Sequence, residues 1–268
     1  MWWTERAVLL FVDVTGRRLY QFKPGSATSE WLRIDEDIGC VAPAVGGGFV
    51  AGLRSGLWLL DEFGAKSRLL ASNPEDATVS RFNDGRADAA GRFWVGTIDE
   101  PKNGGRAGLY RFDEQALNRV SDGLLTSNGL AFSPDGRTLY HSDTPRFVVY
   151  RYDYDVLTGI ADNRRVFVQL EPTASDRGRP DGAAVDVQGC YWTALYEGGR
   201  VQRYDPDGRL MSEYTIPARR PTMPAFGGPD LKTLFVTTAR DENGAGGGLY
   251  ALEVDVPGLT TFLFDPKC

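Results

Sequence analysis

A short apolar strand ending on an acidic or turn residue recurs six times along this chain. The copies are Leu19-Tyr-Gln-Phe-Lys23, Leu57-Trp-Leu-Leu-Asp61, Leu109-Tyr-Arg-Phe-Asp113, Val149-Tyr-Arg-Tyr-Asp153, Val201-Gln-Arg-Tyr-Asp205 and Leu249-Tyr-Ala-Leu-Glu253, and their first residues lie 38, 52, 40, 52 and 48 positions apart. Each copy follows a second apolar strand, at 7–14, 49–53, 93–98, 138–144, 191–196 and 233–239. Short strands and Gly turns repeating every ~40–50 residues point to a β-propeller with one four-stranded sheet per period. No single copy can bury both of its faces, so the copies must stack as blades around an axis. A double-sheet sandwich leaves six repeats unexplained. The expected fold is all-β, a six-bladed β-propeller spanning 1–268 as a single domain. Its first blade is expected to be incomplete at the N-terminal strand, because the first copy begins too near Met1 to be preceded by a full innermost strand.

Composition agrees and removes several function classes. The 268 residues include 32 Gly and 12% aromatics, and no stretch keeps a helical period over a useful length, so almost no helix is expected. The net charge is -6 with both signs interspersed. There is no basic stripe to neutralise phosphates, so nucleic acid is not an expected partner. No apolar run reaches membrane length and no signal peptide precedes the first strand, so no membrane association is expected. Cys40, Cys190 and Cys268 are odd in number and lack metal-ligand spacing, which reads as reduced thiols in a cytoplasmic protein. His141 is the only histidine. Hydrolytic chemistry in such a chain must rest on carboxylates, amides, Arg and a metal rather than on a Ser-His-Asp triad. The polar connections at 99–107 and 173–180 read first as solvated loops and second as loops over a site.

The candidate site comes from register. Three segments that precede an apolar strand carry Asn or Asp eight residues before a turn Gly: Asn83 before Gly91, Asn128 before Gly136 and Asp181 before Gly189. Equivalent positions in stacked blades lie at one height, so these three are expected to converge at one mouth of the central channel. Each Asn-Gly or Asp-Gly alone is ordinary turn chemistry; three in register suggest a metal site. Amide and carboxylate oxygens suit Ca²⁺, Mg²⁺ or Mn²⁺ and are acceptable to Zn²⁺. Arg81 has the donor fork to hold a polar substrate, and Asp84 is placed to support the site from behind. Beside a divalent ion, Asp181 is the expected general base for hydrolysis of a carbonyl compound.

The motifs Arg81-Phe-Asn-Asp-Gly-Arg-x-Asp-x-x-Gly-Arg-x-Trp-x-Gly-Thr97, Ser127-Asn-Gly-Leu-Ala-Phe-Ser133, Pro180-Asp-Gly182, Gly198-Gly-Arg-Val-x-Arg-x-Asp-Pro206, and Phe226-Gly-Gly with Leu234-Phe-Val-Thr-Thr238 run in order over most of the chain. In these the sequence resembles the family of senescence marker protein (regucalcin), gluconolactonase and luciferin-regenerating enzyme. The resemblance implies a six-bladed propeller with one axial divalent ion, calcium foremost and zinc, magnesium or manganese as alternatives. It also implies a small-molecule substrate, with hydrolysis of a sugar lactone as the activity. Asn128 and Asp181 would be metal ligands, with Asn83 near the metal through water or substrate, Arg81 on substrate hydroxyls and Glu100 as a further substrate contact. The family's remaining ligand, a Glu in Gly-Glu-x-Pro-x-Trp, would fall upstream of Met1, since Trp2 aligns with the motif's Trp. Glu5 does not replace it. The alternative expectation is therefore a propeller that binds metal or a small molecule without turnover.

Overall fold

The structure, a computed structural model, describes residues 1–268. Six antiparallel sheets account for the regular structure. Blade 1 is β1 (Trp2–Trp3), β2 (Val8–Asp13), β3 (Arg18–Phe22) and β4 (Glu30–Arg33). Blade 2 is β5 (Ile38–Pro43), β6 (Phe49–Leu53), β7 (Gly56–Leu60) and β8 (Lys66–Ser72). Blade 3 is β9 (Ser80–Ala87), β10 (Phe93–Asp99), β11 (Ala107–Asp113) and β12 (Ala116–Leu124). Blade 4 is β13 (Ser127–Phe132), β14 (Thr138–Asp143), β15 (Val148–Asp155) and β16 (Ile160–Gln169). Blade 5 is β17 (Arg179–Val185), β18 (Tyr191–Tyr196), β19 (Arg200–Tyr204) and β20 (Leu210–Thr215). Blade 6 is β21 (Pro221–Gly227), β22 (Thr233–Thr238) and β23 (Leu249–Glu253). The fold is a six-bladed β-propeller. The six repeated strands are the third strand of each blade, and the apolar strands before them are the second. There is no α-helix, only single 3₁₀ turns at Thr4–Arg6 and Thr144–Arg146.

Two blades depart from the four-strand pattern. The first strand of blade 1 is two residues long, the short start expected from the repeat spacing. Blade 6 has three strands where four were expected. After β23 the chain reads Asp255-Val-Pro-Gly258, and Pro257 has no N–H to donate to a ladder. The segment instead offers its Pro257 carbonyl to the Val187 N–H at 3.0 Å, and Gly258 bridges Asp186.

The chain sorts into two compact units, Met1–Ser127 with Thr261–Cys268, and Asn128–Thr260. In each, the core lies between neighbouring sheets. In the first unit Trp3, Leu10, Leu19, Ile38, Val41 and Phe49 pack between blades 1 and 2, and Ala42, Val50, Phe82, Phe93, Val95 and Phe112 between blades 2 and 3. In the second unit Ala131, Tyr140, Ala183 and Tyr191 join blades 4 and 5, and Trp192, Val201, Phe226 and Val236 join blades 5 and 6. In blades 2 and 5 the strands bury a row of side chains on each face, because each face meets another blade.

The first strands carry the feature that positions the site. In β9, Phe82 pairs with Thr97 and Gly85 with Val95, so Asn83 and Asp84 oppose only Gly96. In β17, Pro180 pairs with Leu195 and Ala183 with Thr193, so Asp181 and Gly182 oppose Ala194. The corresponding irregularity in β5 falls at Gly39 and in β21 at Thr222. A bulge leaves its extra residue outside the ladder and re-aims its side chain. Downstream, the Gly91, Gly136 and Gly189 N–H groups close turns on the Asp88, Ser133 and Asp186 carbonyls at 3.0, 3.0 and 2.9 Å. All three glycines have positive φ (85°, 66° and 81°). The eight-residue spacing read from the sequence is thus the distance from the site position to a tight turn.

Candidate active site

In the second unit, Asn128 on β13 and Asp181 on β17 meet directly. The Asn128 amide nitrogen donates to Asp181 Oδ1 at 2.6 Å and to Thr144 Oγ1 at 3.0 Å. The Thr144 hydroxyl in turn donates to the Pro180 carbonyl at 2.7 Å, which leaves its oxygen to accept from Asn128. That chain of donors fixes which face of the Asn128 amide meets the carboxylate. Asn128 is 7% exposed, so the bond to the carboxylate is made in a largely dry setting, where a charge-assisted bond is strong. Tyr191, fully buried, donates its hydroxyl to the Gly129 carbonyl at 2.9 Å and holds the adjoining backbone. Thr144 and Tyr191 escaped the sequence reading. Thr144 sits in a 3₁₀ turn whose place beside Asn128 depends on how β13 and β17 pack, and no local motif announces that.

In the first unit, Arg81 and Asn83 form a second cluster on β9. Arg81 donates to Asn83 Oδ1 and to the Phe82 carbonyl, both at 2.9 Å, and Asn83 Nδ2 donates to the Ser127 carbonyl at 2.9 Å. Burial pushes the Arg81 guanidinium below its ordinary pKa, with the Glu100 charge opposing that shift. Glu100 Oε1 lies 3.8 Å from Arg81 Nε. Its principal partner is Arg54, through bonds of 2.6 and 3.2 Å to its two oxygens. Arg54 also bonds Asp37 at 2.9 Å, and Arg17 reaches Asp37 at 3.1 Å. Glu100 therefore braces Arg81 from a network of fixed charges, and Arg54 is a further residue that sequence reasoning missed. Asp84 is buried behind the strand, where its charge adds to burial in raising the Cys40 thiol well above its usual range.

The polar side chains of the two clusters include oxygen donors. Asp181 and Asn128 supply a carboxylate and an amide oxygen, which suit a hard divalent cation with water or substrate completing the shell. Asn83 is less open to one, since its amide oxygen already accepts from a guanidinium whose charge opposes a cation at that atom. No three His, Cys, Asp or Glu side chains gather as a metal cluster. Cys40, Cys190 and His141 are all buried, and burial holds the His141 pKa down to about 3, so the imidazole stays neutral inside blade 4.

A six-bladed propeller whose first strands bulge at Asn83 and at Asp181, with Arg81 and Asn128 bonded beside them, carries polar side chains of the kind that hold a small polar molecule. Residues 1–240 match the SMP-30/Gluconolactonase/LRE-like region, and the chain belongs to that family. It is similar to a 6-deoxy-6-sulfogluconolactonase of Pseudomonas putida, 42% identical over 98% of this chain and 93% of that protein. It is also similar to a pentonolactonase of Haloferax volcanii, 33% identical over 100% of this chain and 94% of that protein. Among solved structures, a calcium-binding regucalcin from Agrobacterium tumefaciens superposes with a TM-score of 0.91 at 26% identity, over 98% of this chain and 92% of that one.

Proposed function

We propose that this chain hydrolyses a sugar lactone to its open hydroxy acid, with Asp181 as general base. The observation that carries the reading is the Asn128–Asp181 contact of 2.6 Å at an inner-strand bulge, in a chain whose relatives include two lactonases. Asp181 takes a proton from the attacking water as the new C–O bond forms at the lactone carbonyl. The ring C–O bond then breaks, and the ring oxygen leaves as a hydroxyl carrying that proton. One water is consumed and no redox partner is needed. Asn128 holds the Asp181 carboxylate in one orientation, and Thr144 holds Asn128. Arg81 and Asn83 bind sugar hydroxyls, with Glu100 and Arg54 bracing Arg81 and Asp84 supporting the strand. Asn128 and Asp181 are the side chains that would hold the family's divalent ion, calcium or otherwise, whose chemistry is to polarise a carbonyl and lower the pKa of water.

The three thiols are free, which suits a reducing compartment, and a cytoplasmic location is part of the proposal. No helix is long and apolar enough to cross a membrane.

The test is acid release from gluconolactone and pentonolactones by the wild type and by Asp181→Asn, with and without added Ca²⁺, Mn²⁺ or Zn²⁺. Removing a general base is expected to cost ~10²–10⁴ in kcat. Equal rates above the uncatalysed background for the two proteins would overturn the assignment. Calorimetric metal binding without turnover would support the second reading, a binding propeller, which the single carboxylate in the Asn128–Asp181 pair favours.

A further inference from the structure

Beside Asp181 lies a set of charges that the reaction above does not use. Arg179 on β17 is the register partner of Tyr196 at the end of β18, and Asp181 follows two residues later. The Arg179 guanidinium lies 5.0 Å from the Tyr196 ring centroid, and that of Arg220, just before β21, lies 5.4 Å from the same ring. The Tyr196 hydroxyl feels the charges of Arg220, Asp181 and Arg179, so these groups share one neighbourhood. Two guanidinium groups over a single ring are pinned in orientation by cation–π contact.

Their neutralisation is uneven. Glu197 bonds Arg179 at 2.8 Å and stands 3.6 Å from Arg220. The other carboxylate on Arg220 is Glu242, to which its guanidinium donates directly. The Arg220 side chain is 10% exposed and that of Glu242 73% exposed. A buried cation is therefore held by a carboxylate that stands in solvent. Glu242 sits in the loop Asp241-Glu-Asn-Gly-Ala-Gly-Gly-Gly248, where Gly244, Gly246 and Gly247 take positive φ. The Nε of Arg179 and the Nε of Arg220 have no hydrogen-bond partner. A cavity of about 500 Å³ opens at this loop, lined by Ile216, Pro217, Arg219, Arg220 and Asp241 among others.

We propose that Arg220, with Arg179 across the Tyr196 ring, docks an anionic tetrahedral group carried by the substrate, a sulfonate or a phosphate monoester, and that the Glu242 carboxylate occupies that position until the substrate displaces it. The inference rests on the lactone-hydrolase reading and narrows it to lactones with a charged tail. A guanidinium fork matches two oxygens of such a group as well as it matches a carboxylate. An exposed carboxylate on a glycine-rich loop is a weakly held occupant, because solvent screens the pair and the loop gains freedom on release.

The experiment compares kcat/KM for gluconolactone, its 6-phosphate and its 6-deoxy-6-sulfo analogue in the wild type, Arg220→Gln and Glu242→Gln. Arg220→Gln is expected to lower the charged-to-neutral ratio by about tenfold or more, the loss of one charge-assisted contact. Glu242→Gln is expected to raise that ratio, because the competing anion is gone; its exposed position makes it the variant that tests the idea without threatening the fold. The phosphate and sulfonate arms tell which anion the pair prefers. A ratio unchanged in both variants overturns the inference. If the wild type hydrolyses none of the three lactones, the lactonase reading fails separately. Calorimetry with 6-phosphogluconate against gluconate then decides this one: tighter phosphate binding that Arg220→Gln removes supports it, and equal binding overturns it.

Discussion

At the scale of single residues, burial decides what a side chain can do. His141 is wholly enclosed, and desolvation, with a smaller contribution from Arg164, lowers its pKa from 6.5 to about 3. Because the folded value lies below the unfolded one, the unfolded chain takes up the proton first. The stability that neutral His141 contributes is full above about pH 6.5 and is lost as pH falls toward 3. One such proton gives a slope of up to ~1.4 kcal/mol per pH unit. Unfolding free energies measured between pH 6.5 and 5, above most carboxylate titrations, are expected to fall in the wild type and to flatten in His141→Gln. Identical slopes would rule out this histidine as the source. Its exclusion from catalysis was legible from the sequence only as a count, one histidine; its burial behind Tyr152 is a tertiary fact.

At the scale of elements, the chain repeats one turn device. Asp88 accepts from the Ala90 and Arg92 N–H groups, from Trp94 Nε1 and from the Arg92 guanidinium, at 2.9, 3.1, 2.9 and 2.7 Å. Asp186 repeats the arrangement two blades later with Gln188 N, Cys190 N, Trp192 Nε1 and Arg203 Nε, at 2.9, 3.0, 2.9 and 2.8 Å. The sequence shows this as Asp-x-x-Gly-x-x-Trp at 88–94 and 186–192. The Asp ties the hairpin turn, and the Trp it anchors is fully buried, Trp192 between blades 5 and 6. Asp186→Ala is expected to cost about 3–5 kcal/mol, because it leaves the Arg203 charge without its carboxylate and several turn donors unmet. Urea unfolding measures it, and a loss under 1 kcal/mol would show the turn to be held by its glycine alone. The bulges beside the site were less legible. The period of the repeats locates the first strands, but register with the second strand shows that Asn83 and Asp181 stand outside the ladder. In blade 2 the same position is Gly39, where a Cβ would meet the Phe82 carbonyl oxygen at 2.2 Å, so close passage of the neighbouring strand excludes any side chain there.

At the scale of the whole molecule, the last residues return to the first unit. The Val45 N–H donates to the Phe264 carbonyl at 2.8 Å, Phe264 N donates to the Pro43 carbonyl at 3.0 Å, and Asp265 N donates to the Gly91 carbonyl at 2.9 Å. Phe264 is fully buried, with ring centroids 6.0 Å from both Phe93 and Phe112. The chain thus joins its end to blade 2 across more than two hundred positions and to blade 3 across more than one hundred and fifty, and that contact forms only when distant segments have folded. Phe264→Ala is expected to destabilise by about 3–5 kcal/mol, seen as a lower midpoint in denaturant at unchanged slope. An unchanged midpoint would mean that the tail adds nothing to the core it enters.

The sequence by itself determined the number of blades, the second and third strand of each, the near absence of helix and the spacing of Asn83, Asn128 and Asp181 from their turns. Each of these follows from a local period: alternation within a strand, glycine where φ must be positive, and recurrence of the whole unit. Only the tertiary structure decided the rest. It gave the contact between Asn128 and Asp181, the support of Thr144, the capture of Glu100 by Arg54, the three-stranded last blade and the Arg179–Tyr196–Arg220 stack. These depend on which strands lie side by side and on how far a side chain reaches across them, and no window of sequence contains both partners.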